Sequence, residues 1–218
     1  MQHSEFVIHP DYVDLLREAG LDSFDALMST RGEKDLQKPH LAKWRQRIAL
    51  RIGSRRLYLK RYGSPPIKEQ IVQLLSGFPA AAAVEWHWLG QMQRAGISAA
   101  QGVAYGYRRR GLLKQHSLLV TAEVPGRSLE RWVLDQRNAR LDRRYRAHLA
   151  TSLADLTQRL HGNGLIHRDL YLSHVFIQDA CEGSLQLSLI DLARMIRPRI
   201  FRRRWIVKDL ASLNYSTA

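Results

Sequence analysis

Two aspartates and a lysine–glutamate couple carry the first chemical signal. Asp169 stands in "LIHRDLYLSHVFI" (165–177), directly after His167 and Arg168, and Asp191 follows the apolar run "LQLSLI". Upstream, Lys60 lies near the end of the alternating string "RLYLKRY", and Glu85 sits in "FPAAAAVEW". Transfer of a phosphoryl group to a hydroxyl asks for such residues. It needs cations on the triphosphate, a carboxylate to orient or deprotonate the acceptor, and carboxylates for a divalent ion. Singly, each has an ordinary reading. Lys60 would be a solvated strand-end lysine, Glu85 a helix-face outlier or a bridge to an arginine, and His174 a satisfied structural histidine. A His-Arg-Asp string alone is a weak motif. The four residues Lys60, Glu85, Asp169 and Asp191, in that order, carry the assignment.

The surrounding periodicities predict how these residues are held. After a short helix around Tyr12 to Ala19, "HLAKWRQRIALRI" and "RLYLKRY" read as an antiparallel hairpin turning at Gly53, with Leu57 and Leu59 on one face. Pro65 and Pro66 interrupt regular structure. A helix follows from about Ala80 to Ala95 and stops at Gly96. On it Glu85, Trp88, Leu89 and Met92 share a face at helical spacing. A carboxylate on an apolar face needs a partner, because burying it unpaired is costly. "HSLLVTAEV" (116–124) reads as a buried strand, and "PGRSLERWVL" as a turn into a short helix. The longest helix covers roughly Arg143 to Leu160, with Leu149, Leu153, Leu156 and Leu160 as its stripe and Gly162 or Gly164 available to end it. "VFI" and "LQLSLI" around the turn "QDACEGS" form a second hairpin that delivers Asp191.

That order predicts an α+β, bilobal protein: a small antiparallel-sheet N-lobe (about 1–121), a hinge (about 122–127) and a mainly helical C-lobe (about 128–218), one domain with a cleft between its lobes. The 218 residues suit this size. The charge is lopsided, 34 Lys plus Arg against 20 Asp plus Glu, a net +14, which favours a polyanionic partner such as nucleic acid, an anionic membrane surface or a phosphorylated substrate. No zinc finger or RNP aromatic motif appears, so nucleic acid is not the expected partner. The single cysteine, Cys181, excludes an intramolecular disulfide framework. The first residues lack the apolar run of a signal peptide, and no stretch nears the roughly 18 apolar residues of a membrane span, so a cytoplasmic location is expected.

Several strings resemble protein-kinase-like enzymes, and more closely the lipopolysaccharide kinase family that phosphorylates Kdo or heptose of the inner core. "AAVEWHWLGQMQRAGI" resembles that family's Glu-bearing helix. "LIHRDLYLSHVFI" is similar to its catalytic loop, where His rather than the Asn of protein kinases is usual at the position of His174. "LSLIDLARM" matches its "IDLxR" metal strand, and "RRRWIVKDLASLNYS" resembles the segment that follows. The similarity runs from about Leu57 to the end of the chain.

The resemblance implies an ATP- and Mg²⁺-dependent kinase of protein-kinase-like fold acting on a sugar hydroxyl. Lys60 would contact the α/β phosphates and pair with Glu85. His167, Arg168 and Asp169 would form the catalytic string, with Asp169 orienting or deprotonating the acceptor. Asp191 would bind Mg²⁺. His174, a poor Mg²⁺ ligand beside an oxygen donor, would assist at the metal or hydrogen-bond Asp191 or a water. Thr121, Ala122, Glu123 and Val124 would face adenine, and Asp209 would brace the catalytic loop. Arg199, Arg202, Arg203 and Arg204, beside Trp205, would meet the acceptor or the membrane. The expected partners are lipopolysaccharide core or a lipid A precursor and the anionic inner face of the inner membrane.

Two departures stand out. No GxGxxG is present, so "STRGEKDLQKPHLAKW" with Gly32 is left to cover the phosphates. The chain also stops at Ala218, just after the expected brace helix begins, as an abbreviated helical lobe or a shortened protein would. A protein or other small-molecule kinase shares the same catalytic parts. A nucleotide-binding pseudokinase scaffold is the reading from another class.

Overall fold

The computed structural model describes residues 2–36, 42, 44–110, 114–136, 143–179 and 185–216. Contacts divide the chain into two compact units, Met1–His87 with Gln101–Glu123 and Trp88–Ala100 with Val124–Ala218.

Period-two alternation builds the first unit. In β3 (Arg45–Ile52) and β4 (Arg55–Tyr62), residues Ile48, Leu50, Leu57 and Leu59 fall on one face and are buried. β1 (Gln2–Ile8), β2 (Lys34–Asp35), β5 (Gly102–Arg110) and β6 (Lys114–Ala122) complete an antiparallel sheet in the order β1-β5-β6-β4-β3-β2 among the described residues. Two short helices, α1 (Val13–Glu18) and α2 (Phe24–Ser29), lay Leu16, Phe24 and Leu27 over the face carrying Leu118 and Val120. The Ser23 hydroxyl opens α2 by accepting from the Ala26 N–H at 3.2 Å.

Arg61 shares the parity of Leu57 and Leu59, so its guanidinium is turned toward this core and is 9% exposed. It donates to the carbonyls of Leu27 (2.9 Å) and Thr30 (2.5 Å) and to the Gln46 side chain (3.1 Å). Burial lowers its pKa, and the carbonyls satisfy its donors in place of a carboxylate. The segment after α2 is drawn onto the sheet by these bonds. There Gly32 lies so close to β3 that an added Cβ would fall 1.6 Å from the Ile48 side chain. Its glycine is therefore required by packing against β3. Residues 37–41 and 43 of the segment expected to cover the phosphates lie outside the described residues, as do Cys181 and the rest of 180–184.

The proline pair does not delay the next helix. α3 (Ile67–Leu75) starts directly after Pro66, where a fixed φ suits a helix entry. α4 (Ala81–Arg94) runs close to the expected span. The boundary between the two units falls inside α4, after His87.

The second unit contains α5 (Leu129–Gln136), α6 (Arg143–Gly162), α7 (Arg202–Tyr215) and a small antiparallel sheet in the order β7 (Arg127–Ser128), β8 (Val175–Asp179), β9 (Leu185–Leu189). Along α6 the predicted stripe is buried at Leu156 and Leu160 and half-buried at Leu149 and Leu153. Gly164 takes the left-handed conformation that ends it, at φ +76°. Residues 98–100 join β9 through an Ala99–Leu189 bridge and a 2.7 Å Ser98–Ser188 hydroxyl contact.

Candidate active site

The first unit prepares a buried cation. Alternation along β4 turns Lys60 to the sheet face opposite Leu57 and Leu59. The helical spacing of α4 puts Glu85, 1% exposed, on its apolar side. Nζ of Lys60 lies 2.8 Å from both carboxylate oxygens of Glu85. The carboxylate flagged in sequence as needing a partner has this one. An ion pair so buried holds its lysine in one place, and removing either member strands the other charge.

The proposed adenine-facing segment is partly committed already. The Ala122 N–H donates to the Gln101 carbonyl (2.9 Å) and the Glu123 N–H to that of Arg56 (3.0 Å). The Glu123 carboxylate accepts from Arg56 (3.3 Å) and from the Tyr58 hydroxyl (3.1 Å). Burial first, and then the Glu123 contact, raise the Tyr58 pKa.

In the second unit the loop after α6 is fixed mainly from one buried carboxylate. Asp209 of α7 is fully buried. It accepts from the backbone N–H groups of His167 (2.8 Å) and Arg168 (2.7 Å) and from Nε2 of His161 (3.1 Å). Those bonds hold Arg168 at φ +69°, a left-handed conformation costing about 1–2 kcal/mol without such support. Paired bonds of 3.0 Å between Ile166 and Ile196 tie the same loop to the chain beyond Asp191. The His167 ring is also buried, and its Nε2–H donates to the Ile190 carbonyl at 3.1 Å. Burial, and then the nearby His174 ring, push the His167 pKa down, so its imidazole stays neutral.

Asp169 emerges from this frame with 18% of its side chain exposed and Oδ1 2.6 Å from a guanidinium nitrogen of Arg194. Its backbone carbonyl accepts from the Tyr171 N–H (2.9 Å) and from Nδ1 of His174 (2.8 Å). A carbonyl cannot donate, so the His174 Nδ1 carries the proton. The His174 carbonyl in turn accepts from the Ile190 N–H at 3.1 Å. Through ring and backbone, His174 links the stretch carrying Asp169 to the stretch carrying Asp191. Asp191 itself is left-handed, at φ +58° and ψ +59°.

The donor set fits Mg²⁺ of a particular kind. No group of three or more His, Cys, Asp or Glu gathers around one point among the described residues. Mg²⁺ commonly takes one or two carboxylates, several waters and substrate phosphates rather than an all-protein cage. Asp191 suits that role as an oxygen donor. His174 presents Nδ1–H to a carbonyl, which excludes that atom as a ligand.

Sequence reading passed over Arg194, although it is the arginine of "IDLAR". Arg199, Arg203 and Arg204 are exposed, and Arg202 donates to the His161 carbonyl. None of the four lines the pocket beside Asp169, where Arg168, Arg194 and Lys208 do.

A sheet unit with a buried Lys–Glu pair, and a helical unit presenting one aspartate on a braced loop and another after a strand, match the set of parts that phosphoryl transfer calls for. The sequence model of the lipopolysaccharide kinase (Kdo/WaaP) family matches residues 44–218, and the chain belongs to that family. It is 29% identical over 207 residues to the lipopolysaccharide core heptose(I) kinase WaaP of Escherichia coli, covering 91% of this chain and 76% of the relative. The Pseudomonas aeruginosa WaaP heptose(I) kinase is 32% identical over 139 residues, 62% of this chain and 52% of that one. A solved structure of WaaP in complex with acyl carrier protein matches with a TM-score of 0.75 at 26% identity, covering 97% of this chain and 80% of that chain. The α+β kinase-like fold and the phosphotransferase class expected from sequence are both supported by these matches.

Proposed function

We propose that this kinase transfers the γ-phosphoryl group of ATP to a hydroxyl of heptose or Kdo in the lipopolysaccharide inner core. The acceptor oxygen forms a bond to phosphorus, the bond from phosphorus to the β-bridging oxygen breaks, ADP leaves, and the acceptor proton passes to Asp169. The single observation carrying this reading is the state of that carboxylate. Its loop is anchored by Asp209, Oδ1 is held by Arg194, and Oδ2, without a hydrogen-bond partner among the described residues, would take an acceptor hydroxyl. Lys60, fixed by Glu85, would contact the nucleotide phosphates. Val124 offers a backbone N–H to adenine where those of Ala122 and Glu123 are already used. Thr121 and the carbonyl side of the segment complete the adenine contacts in this proposal. Mg²⁺ held by Asp191 would neutralise charge building on the phosphate oxygens. His174 keeps Asp169 and Asp191 in register.

The test is phosphate transfer from labelled ATP to purified core oligosaccharide, with and without a divalent-ion chelator, and mass spectrometry of core saccharide from cells with and without the protein. One added phosphate per core, lost on chelation, is expected. A core of unchanged mass together with no transfer in vitro would remove the assignment.

A membrane-surface role is the finer proposal on location. No helix among the described residues is long and apolar enough to cross a membrane. Ile200 (71%) and Phe201 (74%) are exposed between Arg199 and Arg202, with Arg203 and Arg204 beyond. An apolar tip ringed by arginines suits the boundary of an anionic leaflet, and we place it at the cytoplasmic face of the inner membrane. Co-sedimentation should be strong with anionic vesicles and fall with salt. Equal binding to neutral vesicles would contradict the proposal.

A further inference from the structure

Beside Asp169 the second unit has an open pocket of about 520 Å³ lined by Arg168, Tyr171, Arg194, Trp205, Lys208 and Tyr215, along with small residues of α7. That volume is in the range of small-molecule sites, roughly 300–1,000 Å³. No carboxylate is among its lining residues. The Arg168 guanidinium carbon lies 5.3 Å, and the Lys208 ammonium 5.0 Å, from the centre of the Trp205 ring. Neither cation forms an ion pair among the described residues, whereas Arg194 spends one nitrogen on Asp169. Like charges gathered on one aromatic ring without a counter-ion repel each other, and an anion entering the pocket relieves that repulsion.

Three features narrow the ligand. The cations call for phosphate or carboxylate, which guanidinium and ammonium bind well. The aromatic side chains of Tyr171, Trp205 and Tyr215 offer apolar surface suited to the C–H face of a sugar ring, with phenol hydroxyls for its polar edge. Arg194 lines the pocket and holds Asp169 Oδ1 at 2.6 Å, so the site is continuous with the carboxylate that receives the acceptor proton.

We infer that this pocket is an acceptor subsite for an anionic sugar, with Arg168 and Lys208 on its phosphate or carboxylate, so that recognition of charge on the acceptor sets which hydroxyl reaches Asp169. This rests on the reading of the protein as a sugar kinase, but the site is testable without turnover.

Tryptophan fluorescence or calorimetric titration of the purified chain with four probes provides the test: Kdo for a carboxylate sugar, glucose 1-phosphate for a phosphorylated one, inorganic phosphate, and methyl glucoside as a neutral ring. An anionic sugar should bind well above both inorganic phosphate and methyl glucoside, and the better of the first two probes names the anion. Lys208 is exposed, so Lys208→Gln should fold like the parent and weaken that binding by about 10-fold or more, the loss expected for one charge-assisted contact, with Lys208→Arg restoring it. In transfer assays the same Gln variant should raise the acceptor KM and leave the ATP KM unchanged. Binding of methyl glucoside as tight as the anionic sugars, no binding of any sugar, or an unchanged affinity in Lys208→Gln overturns the subsite. Anionic-sugar binding that needs Lys208 in a protein that phosphorylates no core saccharide would leave the pocket standing and sink the kinase assignment instead.

Discussion

Asp169→Asn is expected to lower phosphate transfer by about 10²–10⁴-fold, the range of a lost general base, while nucleotide affinity and thermal stability stay near those of the parent. The expectation follows from how the loop is held. None of the contacts that fix it uses the proton-accepting ability of the carboxylate. Asp209 grips the N–H groups of His167 and Arg168, and the Tyr171 and His174 bonds reach the backbone carbonyl of residue 169. The Arg194 contact is also one an amide oxygen can accept. The substitution therefore changes one chemical property and little else. Single-turnover transfer, nucleotide titration and a melting curve on the same preparation measure the three quantities. Residual transfer within about tenfold of the parent would remove Asp169 from its role.

The second large effect separates stability from activity at the Lys60–Glu85 pair. Lys60→Met strands a carboxylate that is 1% exposed. Breaking a buried pair in this way costs about 3–5 kcal/mol. For a chain of this size each kcal/mol lowers Tm by roughly 2–4 °C, so a fall of about 6–20 °C is expected. Transfer should drop by about 10²-fold or more with loss of the cation on the phosphates. The double variant Lys60→Met/Glu85→Leu replaces both charges with apolar side chains, which is often neutral for stability. Its Tm should return toward the parent while transfer stays lost. Recovery of transfer in the double variant would show that Lys60 acts only as structural support. An unchanged Tm in Lys60→Met would show that Glu85 does not depend on it.

Much of the scaffold was legible because its signals are local. Alternation in "RLYLKRY" and helical spacing in "AAVEWHWLGQM" are repeated over several residues, so Lys60 opposite Leu57 and Leu59, and Glu85 beside Trp88 and Leu89, could be read directly. Other elements carry weaker local signals. β1 ("QHSEFVI") and β5 ("GVAYGYRRR") contain glycine or charged residues that blur the alternation, and their identity as strands comes from pairing with each other over seven residue pairs from Gln2↔Arg110 to Ile8↔Ala104. α2 is only six residues long, too short for a periodic pattern to show. The close approach of Gly32 to Ile48 is invisible in the sequence until β3 is in place.

The sequence by itself determined the kinase-like parts, their order and the family, since residue types, spacing and motif strings are properties of the chain. The tertiary structure decided what holds and surrounds them: Asp209 under the loop, the His174 ring on the Asp169 carbonyl, Arg194 on Asp169, and Arg168 brought to the same indole as Lys208. These contacts join residues remote in sequence. A hydrogen bond depends on angstrom distances and a left-handed φ at Arg168 or Asp191 on what braces it, and neither is encoded by local periodicity.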